Sequence, residues 1–132
     1  MIHSSPLLRC ALLADAVFSG VSAVAMVLDT STLASLLGLP DALLRETGLF
    51  LIAYTALVGW LGARTSLPKG PVILVVAGNA AWTLASIAVL LSGAVSPNLL
   101  GTIVILAQAI ATGVFAELQY VGLRRSEGAV TA

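Results

Sequence analysis

Apolar residues run through the chain in four long stretches, each about the length of a membrane-spanning helix. A helix needs about 20 mostly apolar residues to cross roughly 30 Å of hydrocarbon. The stretches that qualify cover residues 7–28, 42–64, 71–92 and 98–123. Short polar or proline-containing segments separate them, as is typical of antiparallel neighbours. The pattern therefore predicts an all-α, polytopic membrane protein, with residues 1–132 forming a single transmembrane domain of four helices in an antiparallel bundle.

The segments outside these stretches are short. Residues 30–37 place three leucines on one helical face behind polar residues suited to cap a helix, which predicts a brief helix at the membrane interface. The tail, residues 124–132, begins with a basic pair and is predicted to be loose. Asp15 lies in the middle of the first apolar stretch, which argues against a cleaved signal peptide there.

Composition and charge exclude several classes of protein. The chain is 59% hydrophobic and 9% charged, whereas a soluble domain carries about 25% charged residues. A net charge of +0 offers no basic surface for phosphates, so we expect membrane lipid as a partner and no nucleic acid. Basic residues mark the cytoplasmic side of a membrane protein. Both termini are predicted to be cytoplasmic, because that orientation leaves one basic residue outside, Arg45, and five inside: Arg9, Arg64, Lys69, Arg124 and Arg125.

Several polar residues interrupt the apolar stretches at similar depths. With a rise of about 1.5 Å per residue, Asp15 and Glu117 lie about 10 Å inward from the nearest arginines of their helices. On the same scale Asn79 lies at about 12 Å and Tyr54 at about 15 Å. Ser19 and Thr83 follow one turn after Asp15 and Asn79 on the same helix faces. The predicted ligand- or proton-binding candidates are Asp15, Ser19, Tyr54, Asn79, Thr83 and Glu117.

This polar layer has a second interpretation. Polar side chains inside a membrane commonly hydrogen-bond across helices and fix their packing, with no ligand involved. Intramembrane ionisable residues, in contrast, favour a functional site. Both interpretations stay open at this point.

The first and third stretches resemble each other. Residues 15–28 and 79–92 pair Asp15 with Asn79 and Ser22 with Ser86 in the same register. The similarity predicts a possible tandem repeat of two helical hairpins, with a site at the repeat interface. Chance similarity between apolar helices is the alternative, because only two of the fourteen positions are identical.

The fourth stretch carries a second polar face. Gln108, Thr112 and Gln119 lie nearly opposite Glu117 on a helix. In a lone bundle one of the two faces would meet lipid, where unpaired polar groups are costly. These three residues are therefore predicted to contact another copy of the chain or a partner membrane protein.

Residue types needed for common catalytic and cofactor sites are scarce. The single histidine is His3, in the amino-terminal tail, and no glycine-rich phosphate loop or CxxC pair occurs. We therefore expect no catalytic residue, no metal site, no cofactor and no enzymatic activity.

Three segments carry a resemblance to a known family: LLRETGLFLIAYTALVGWLGAR at 43–64, GNAAWTLASIAVLL at 78–91 and AQAIATGVFAELQYVGLRR at 107–125. They resemble a family of uncharacterised small four-helix integral membrane proteins of bacteria. The resemblance implies a multi-pass protein of the cell inner membrane and no particular activity. In size and in its first-helix acid the chain is also similar to small multidrug-resistance transporters, although Asp15 stands where that family has a glutamate.

Two function classes follow from these patterns. The first is a transporter-like or polar-ligand/proton-binding protein, in which Asp15 and Glu117 exchange protons with a polar or cationic small molecule. The alternative is a non-catalytic accessory or scaffold subunit that docks to a larger membrane complex through the second polar face. The identity of the small molecule is not encoded in any motif.

Overall fold

A computed structural model describes the backbone of residues 1–131 and the side chains of residues 1–127. Within that part of the chain five helices are present: α1 (Pro6–Leu28), α2 (Thr30–Leu37), α3 (Asp41–Ala63), α4 (Lys69–Ser92) and α5 (Leu99–Thr131). Two short strands accompany them, β1 (Ile2–His3) and β2 (Ser66–Leu67). The helices α1, α3, α4 and α5 are long and apolar enough to cross a membrane. The prediction of an all-helical fold is confirmed, and the four long apolar helices support a multi-pass membrane protein. A helix is also present at 30–37, as α2.

The prediction of a loose tail is wrong, because α5 continues to Thr131. Ser126 is fully buried, accepts a hydrogen bond from the Ser5 backbone N–H at 2.9 Å and donates one to Gly122 O at 2.8 Å. These contacts with the amino-terminal segment bury a turn that would otherwise fray. Ala132, the end of the predicted tail, lies outside the described residues.

The two chain ends and the α3–α4 connection lie together. β1 pairs with β2 antiparallel, with Ile2 opposite Leu67, and Ser5 contacts Ser126. Ser5 also caps α1, because its Oγ accepts a hydrogen bond from Leu8 N at 3.2 Å, immediately before Pro6. We call this the terminal end of the molecule.

At the opposite end, called the α2 end, Asn98 joins α2 to α5. Its Oδ1 accepts a hydrogen bond from Gly101 N at 2.8 Å, and its Nδ2 donates one to Leu36 O at 2.7 Å. Its backbone N–H donates to Leu37 O at 3.1 Å. Gly38 ends α2 with φ of 69°, a conformation that glycine adopts without steric cost. Asn98 thus holds α2 over this end of the long helices.

Three seams hold the long helices together. α1 packs along α3 and along α5, and α5 packs along α4. The α1–α5 seam is very close, because a Cβ built at Gly122 would lie 2.7 Å from the backbone N and Cα of Leu8. Among the described helices, α3 and α4 form no comparable seam. The long helices therefore enclose a central space that is bordered by packed seams everywhere except between α3 and α4.

Candidate functional site

Asp15 lies fully buried at the centre of the long helices and is hydrogen-bonded from all four of them. Its Oδ1 accepts from Ser19 Oγ on α1 at 3.0 Å. Its Oδ2 accepts from Tyr54 OH on α3 at 2.7 Å, from Asn79 Nδ2 on α4 at 2.9 Å and from Gln119 Nε2 on α5 at 2.8 Å. We call these five residues the Asp15 layer.

The hydrogen bonds of the layer are mutually satisfied. Asn79 Nδ2 also donates to Gln119 Oε1 at 2.9 Å, so both of its N–H groups are used. A carboxylate has about four lone-pair sites, two on each oxygen. Oδ2 accepts three hydrogen bonds and Oδ1 accepts one, so Oδ1 keeps room for a further donor. Among the described residues no lysine or arginine pairs with Asp15, so neutral donors alone surround the acid. Hydrogen bonding of this extent is what makes a buried polar group tolerable.

Apolar packing closes the terminal side of the layer. Leu12, one turn before Asp15, is fully buried with Leu8 and Leu61 in a cluster that continues to Val75 on α4. Leu67, from β2, caps this cluster and is also fully buried. The layer therefore sits on an apolar plug that separates it from the terminal end.

The structure brings together four of the predicted site residues: Asp15, Ser19, Tyr54 and Asn79. Thr83 lies one turn further along α4 and bonds elsewhere. Its Oγ1 donates to Asn79 O at 3.1 Å and lies 2.8 Å from Thr112 Oγ1. Thr83 thus links α4 to α5 rather than contacting the acid.

The prediction that Glu117 meets Asp15 in one buried layer is wrong. Glu117 is exposed, beside a groove between α4 and α5 that is lined by Thr83, Ala109 and Gly113. Glu117 lies only two residues from Gln119 on α5, but on a different face of the helix. A second carboxylate beside Asp15 would add like-charge repulsion, whereas the amide of Gln119 donates a hydrogen bond to it.

The three predicted interface residues face inward instead. Gln119 is fully buried in the Asp15 layer, and Thr112 is buried with its Oγ1 donating to Ala109 O at 3.0 Å. Gln108 Oε1 accepts from Trp82 Nε1 at 2.8 Å, and its Nε2 donates to Ser86 Oγ at 2.9 Å. The polar face they share therefore turns to the interior of the chain itself. A signal for this was present in the sequence, since an amide face can satisfy a buried acid and an acidic face cannot.

A cavity of about 630 Å³ lies between the Asp15 layer and the α2 end. Ser19, Tyr54 and Asn79 line its floor. Leu37 and Leu39, held by the Asn98 contacts of α2, line its far end. The walls are mainly apolar and aromatic, and no described residue that lines the cavity is charged.

An aromatic contact crosses the space between α3 and α4. Phe50 stacks on Trp82 with ring centroids 5.9 Å apart and an interplanar angle of 4°. Phe50 also stacks on Tyr54 at 6.3 Å. Both Phe50 and Trp82 line the cavity, and the hydrogen bond from Trp82 to Gln108 orients the indole. The stack is thus the bridge between two helices that otherwise have no seam.

No group of three or more His, Cys, Asp or Glu residues within the described part of the chain is arranged to hold a metal ion. Comparisons with protein-family models, curated proteins and solved structures gave no match. The resemblance to small four-helix bacterial membrane proteins therefore stays a prediction.

Proposed function

We propose that the chain is a small multi-pass membrane protein that binds a small molecule in its central cavity, in a transporter-like role rather than an enzymatic one. The observation that carries the proposal is the cavity itself. Its volume of about 630 Å³ lies within the range of about 300–1,000 Å³ that holds drug-sized ligands. Apolar walls with a few convergent polar groups are also typical of ligand pockets.

The proposal gives Asp15 a positioning role. Its carboxylate holds the Tyr54 hydroxyl and the Asn79 amide at the floor of the cavity, and it does not line the cavity itself. Hydrogen bonds from all four long helices hold this carboxylate in one position. The ligand would therefore rest on a fixed polar floor rather than on the acid.

The proposal includes a topology: an antiparallel four-helix bundle in a bacterial inner membrane, with both termini in the cytoplasm. Two observations support it. The β1–β2 pairing and the Ser5–Ser126 contact gather both chain ends and the α3–α4 connection at the terminal end. Five of the six basic residues lie near that end in sequence, and such residues favour the cytoplasmic side. The pairing of α1 with α3 and of α4 with α5 also fits a repeat of two hairpins.

Filling the cavity tests the binding function. Gly78 lines the cavity, and a Cβ built there meets nothing within 4 Å, so the backbone at this position accepts a side chain and Gly78→Phe is designed to fill the cavity. The probe is dodecanol carrying a photoreactive diazirine, applied to protein in lipid nanodiscs, with labelled residues mapped by mass spectrometry. We expect saturable labelling of the cavity residues in wild type and about a tenfold loss in Gly78→Phe, equivalent to about 1.4 kcal/mol of binding free energy, because the ring would occupy space that the probe needs.

The matched control is Gly70→Phe on the same helix. A Cβ at Gly70 also meets nothing within 4 Å, and Gly70 does not line the cavity. The cavity residues of Gly70→Phe should therefore be labelled as strongly as those of the wild type. Equal labelling of the cavity residues in the wild type and in Gly78→Phe would contradict the proposal. Equal labelling by a diazirine placed in a phospholipid acyl chain would also contradict it, since the cavity would then hold only bulk lipid.

Glu117 favours a second candidate function, that of an accessory subunit. It is an exposed carboxylate deep in α5, and none of the described residues bonds to it. Intramembrane charges pair with opposite charges where they can. The partner would be a transmembrane helix carrying a lysine or arginine, seated in the groove beside Ala109 and Gly113. The small residues there permit close helix approach.

A synthetic peptide tests this candidate. A leucine–alanine transmembrane peptide with one central lysine should associate with wild type in bicelles, as measured by energy transfer. The same peptide with glutamine should not, and Glu117→Gln should abolish the difference. Equal association of both peptides, or association only between copies of the chain, would reject the cationic partner.

A further inference from the structure

The cavity is closed toward both ends of the helices. On the terminal side the Asp15 layer and the fully buried Leu12 and Leu61 block it. On the other side α2 covers it, where Leu37 packs with Leu39 and Leu44 in a buried cluster. A water-soluble molecule therefore has no open path to the cavity along the direction of the helices.

The cavity is open at its side, between α3 and α4. Three large hydrophobic lining residues on these two helices remain exposed: Phe50 by 55%, Leu74 by 63% and Leu43 by 39%. The other neighbouring helices meet along packed seams, including the α1–α5 contact at Gly122. In a membrane, the side between α3 and α4 faces the hydrocarbon, because α3 and α4 are candidate spans.

The chemistry of the walls restricts what can occupy the cavity. None of the described lining residues carries a charge, and Asp15 does not line the cavity and already accepts hydrogen bonds from all four long helices. Burying an unpaired charge in such surroundings is strongly unfavourable. Single hydroxyls are nevertheless present. Thr47 lines the cavity and has no hydrogen-bond partner among the described residues. Ser22 Oγ donates to Phe18 O at 2.8 Å and keeps its acceptor sites.

We infer that the ligand is an uncharged, lipid-soluble molecule with a hydroxyl or carbonyl group, which reaches the cavity from the bilayer between α3 and α4; this rests on the proposed function. The Phe50–Trp82 stack lies across that opening and must separate for the ligand to pass. The polar group of the ligand forms a hydrogen bond with Thr47 or Ser22. Its apolar body occupies the part of the cavity lined by Gly78. Of the polar or cationic ligands expected from the sequence, a cationic one meets no charged residue among the described residues that line the cavity.

The first test compares two probes that differ only in charge. Diazirine-bearing dodecanol and diazirine-bearing dodecylamine are applied to nanodiscs at equal membrane concentration. We expect the alcohol to label the cavity residues about tenfold more strongly than the amine, because the ammonium group would lie unpaired. Equal or stronger labelling by the amine would overturn the inferred ligand class and leave a cavity binding site standing. Absence of cavity labelling by both probes would instead reject the proposed function.

The second test closes the opening. In a Cys10→Ala background, which removes the single native thiol, Phe50→Cys and Trp82→Cys are joined by a short bismaleimide. The double variant without cross-linker is the control for loss of the two rings. Cross-linking should slow cavity labelling by the alcohol about tenfold relative to that control. If cross-linking leaves the labelling rate unchanged, the ligand does not enter between α3 and α4. That result would overturn the proposed entry route even if the first test supports the ligand class.

Discussion

Two acids at similar depth have opposite surroundings. Asp15 is fully buried and accepts four hydrogen bonds, whereas Glu117 is exposed on α5. The difference comes from what each helix presents to the centre. Asp15 meets hydroxyl and amide donors from four helices, and the donor from α5 is Gln119. The buried acid therefore holds the helices together, and the exposed acid does not contribute to this.

Asp15→Asn should destabilise the fold. The new amide places N–H groups where donors already point, so buried hydrogen bonds are lost and donors face donors. We expect a loss of about 2 kcal/mol, because intramembrane hydrogen bonds contribute about 0.6 kcal/mol each on average. This loss is measured as the difference in the free energy of unfolding between wild type and Asp15→Asn, obtained by steric trapping in bicelles.

Glu117→Gln is the matched control for Asp15→Asn. It removes an exposed acid that forms no hydrogen bond or ion pair with the described residues, so a change within about 0.5 kcal/mol is expected. A destabilisation of Glu117→Gln equal to that of Asp15→Asn would contradict the central role of the Asp15 layer.

Depth was predictable at the residue scale, and direction was not. The rise per residue placed Asp15, Tyr54 and Asn79 at compatible depths, and the three do meet. On α5 two polar faces competed, because Gln119 lies two residues, or about 200°, from Glu117. Helical periodicity cannot choose between two such faces. The choice depends on which side chain complements Asp15, and this contact spans most of the chain.

At the scale of elements, the α1–α5 seam depends on one missing side chain. Gly122→Ala would place a Cβ 2.7 Å from the backbone of Leu8, which has no flexible end to move aside. The two helices must therefore separate, and we expect a loss of about 2 kcal/mol in the free energy of unfolding, within the range for overpacking. Unfolding in bicelles, monitored by circular dichroism, measures the change.

Gly70→Ala supplies the comparison on α4. Its Cβ meets nothing within 4 Å, and alanine favours helix over glycine by about 0.8–1.0 kcal/mol, so this variant should be slightly stabilised. Equal effects of Gly122→Ala and Gly70→Ala would show that the α1–α5 seam is not as close as described.

Helix bounds were predictable where local signals set them. The bounds of α2 follow from its amphipathic pattern and from Gly38, which ends it. The end of α5 was not predictable from its own sequence, because Arg124 and Arg125 follow the apolar stretch and suggest a stop. Ser126 continues the helix through its contacts with Ser5, at the other end of the chain. A contact of that kind leaves no local pattern.

At the scale of the whole molecule, the long helices form two pairs joined along one line. α1 with α3 and α4 with α5 are the pairs, and the α1–α5 seam joins them. Two further contacts connect the pairs: Asp15 with Asn79, and Phe50 with Trp82. At the α2 end, Asn98 joins α2 to the start of α5. Small rotations about the α1–α5 seam would change the α3–α4 separation while leaving each pair intact. Such hinge-like motion is a common route for ligand access.

This arrangement predicts unequal freedom between helices. Nitroxide labels at exposed positions in a Cys10→Ala background report it: Ile52 with Leu84 spans α3 and α4, and Val17 with Ile52 spans α1 and α3. We expect a broader distance distribution for the α3–α4 pair, measured by double electron–electron resonance in nanodiscs, since these helices meet through the Asp15 layer, the apolar plug and the Phe50–Trp82 stack and not along a packed seam. Leu84 with Ile110 supplies a second packed pair, α4 with α5. Equal widths for all three pairs would mean that α3 and α4 are as tightly fixed as their neighbours, and a ligand would then need another path to the cavity.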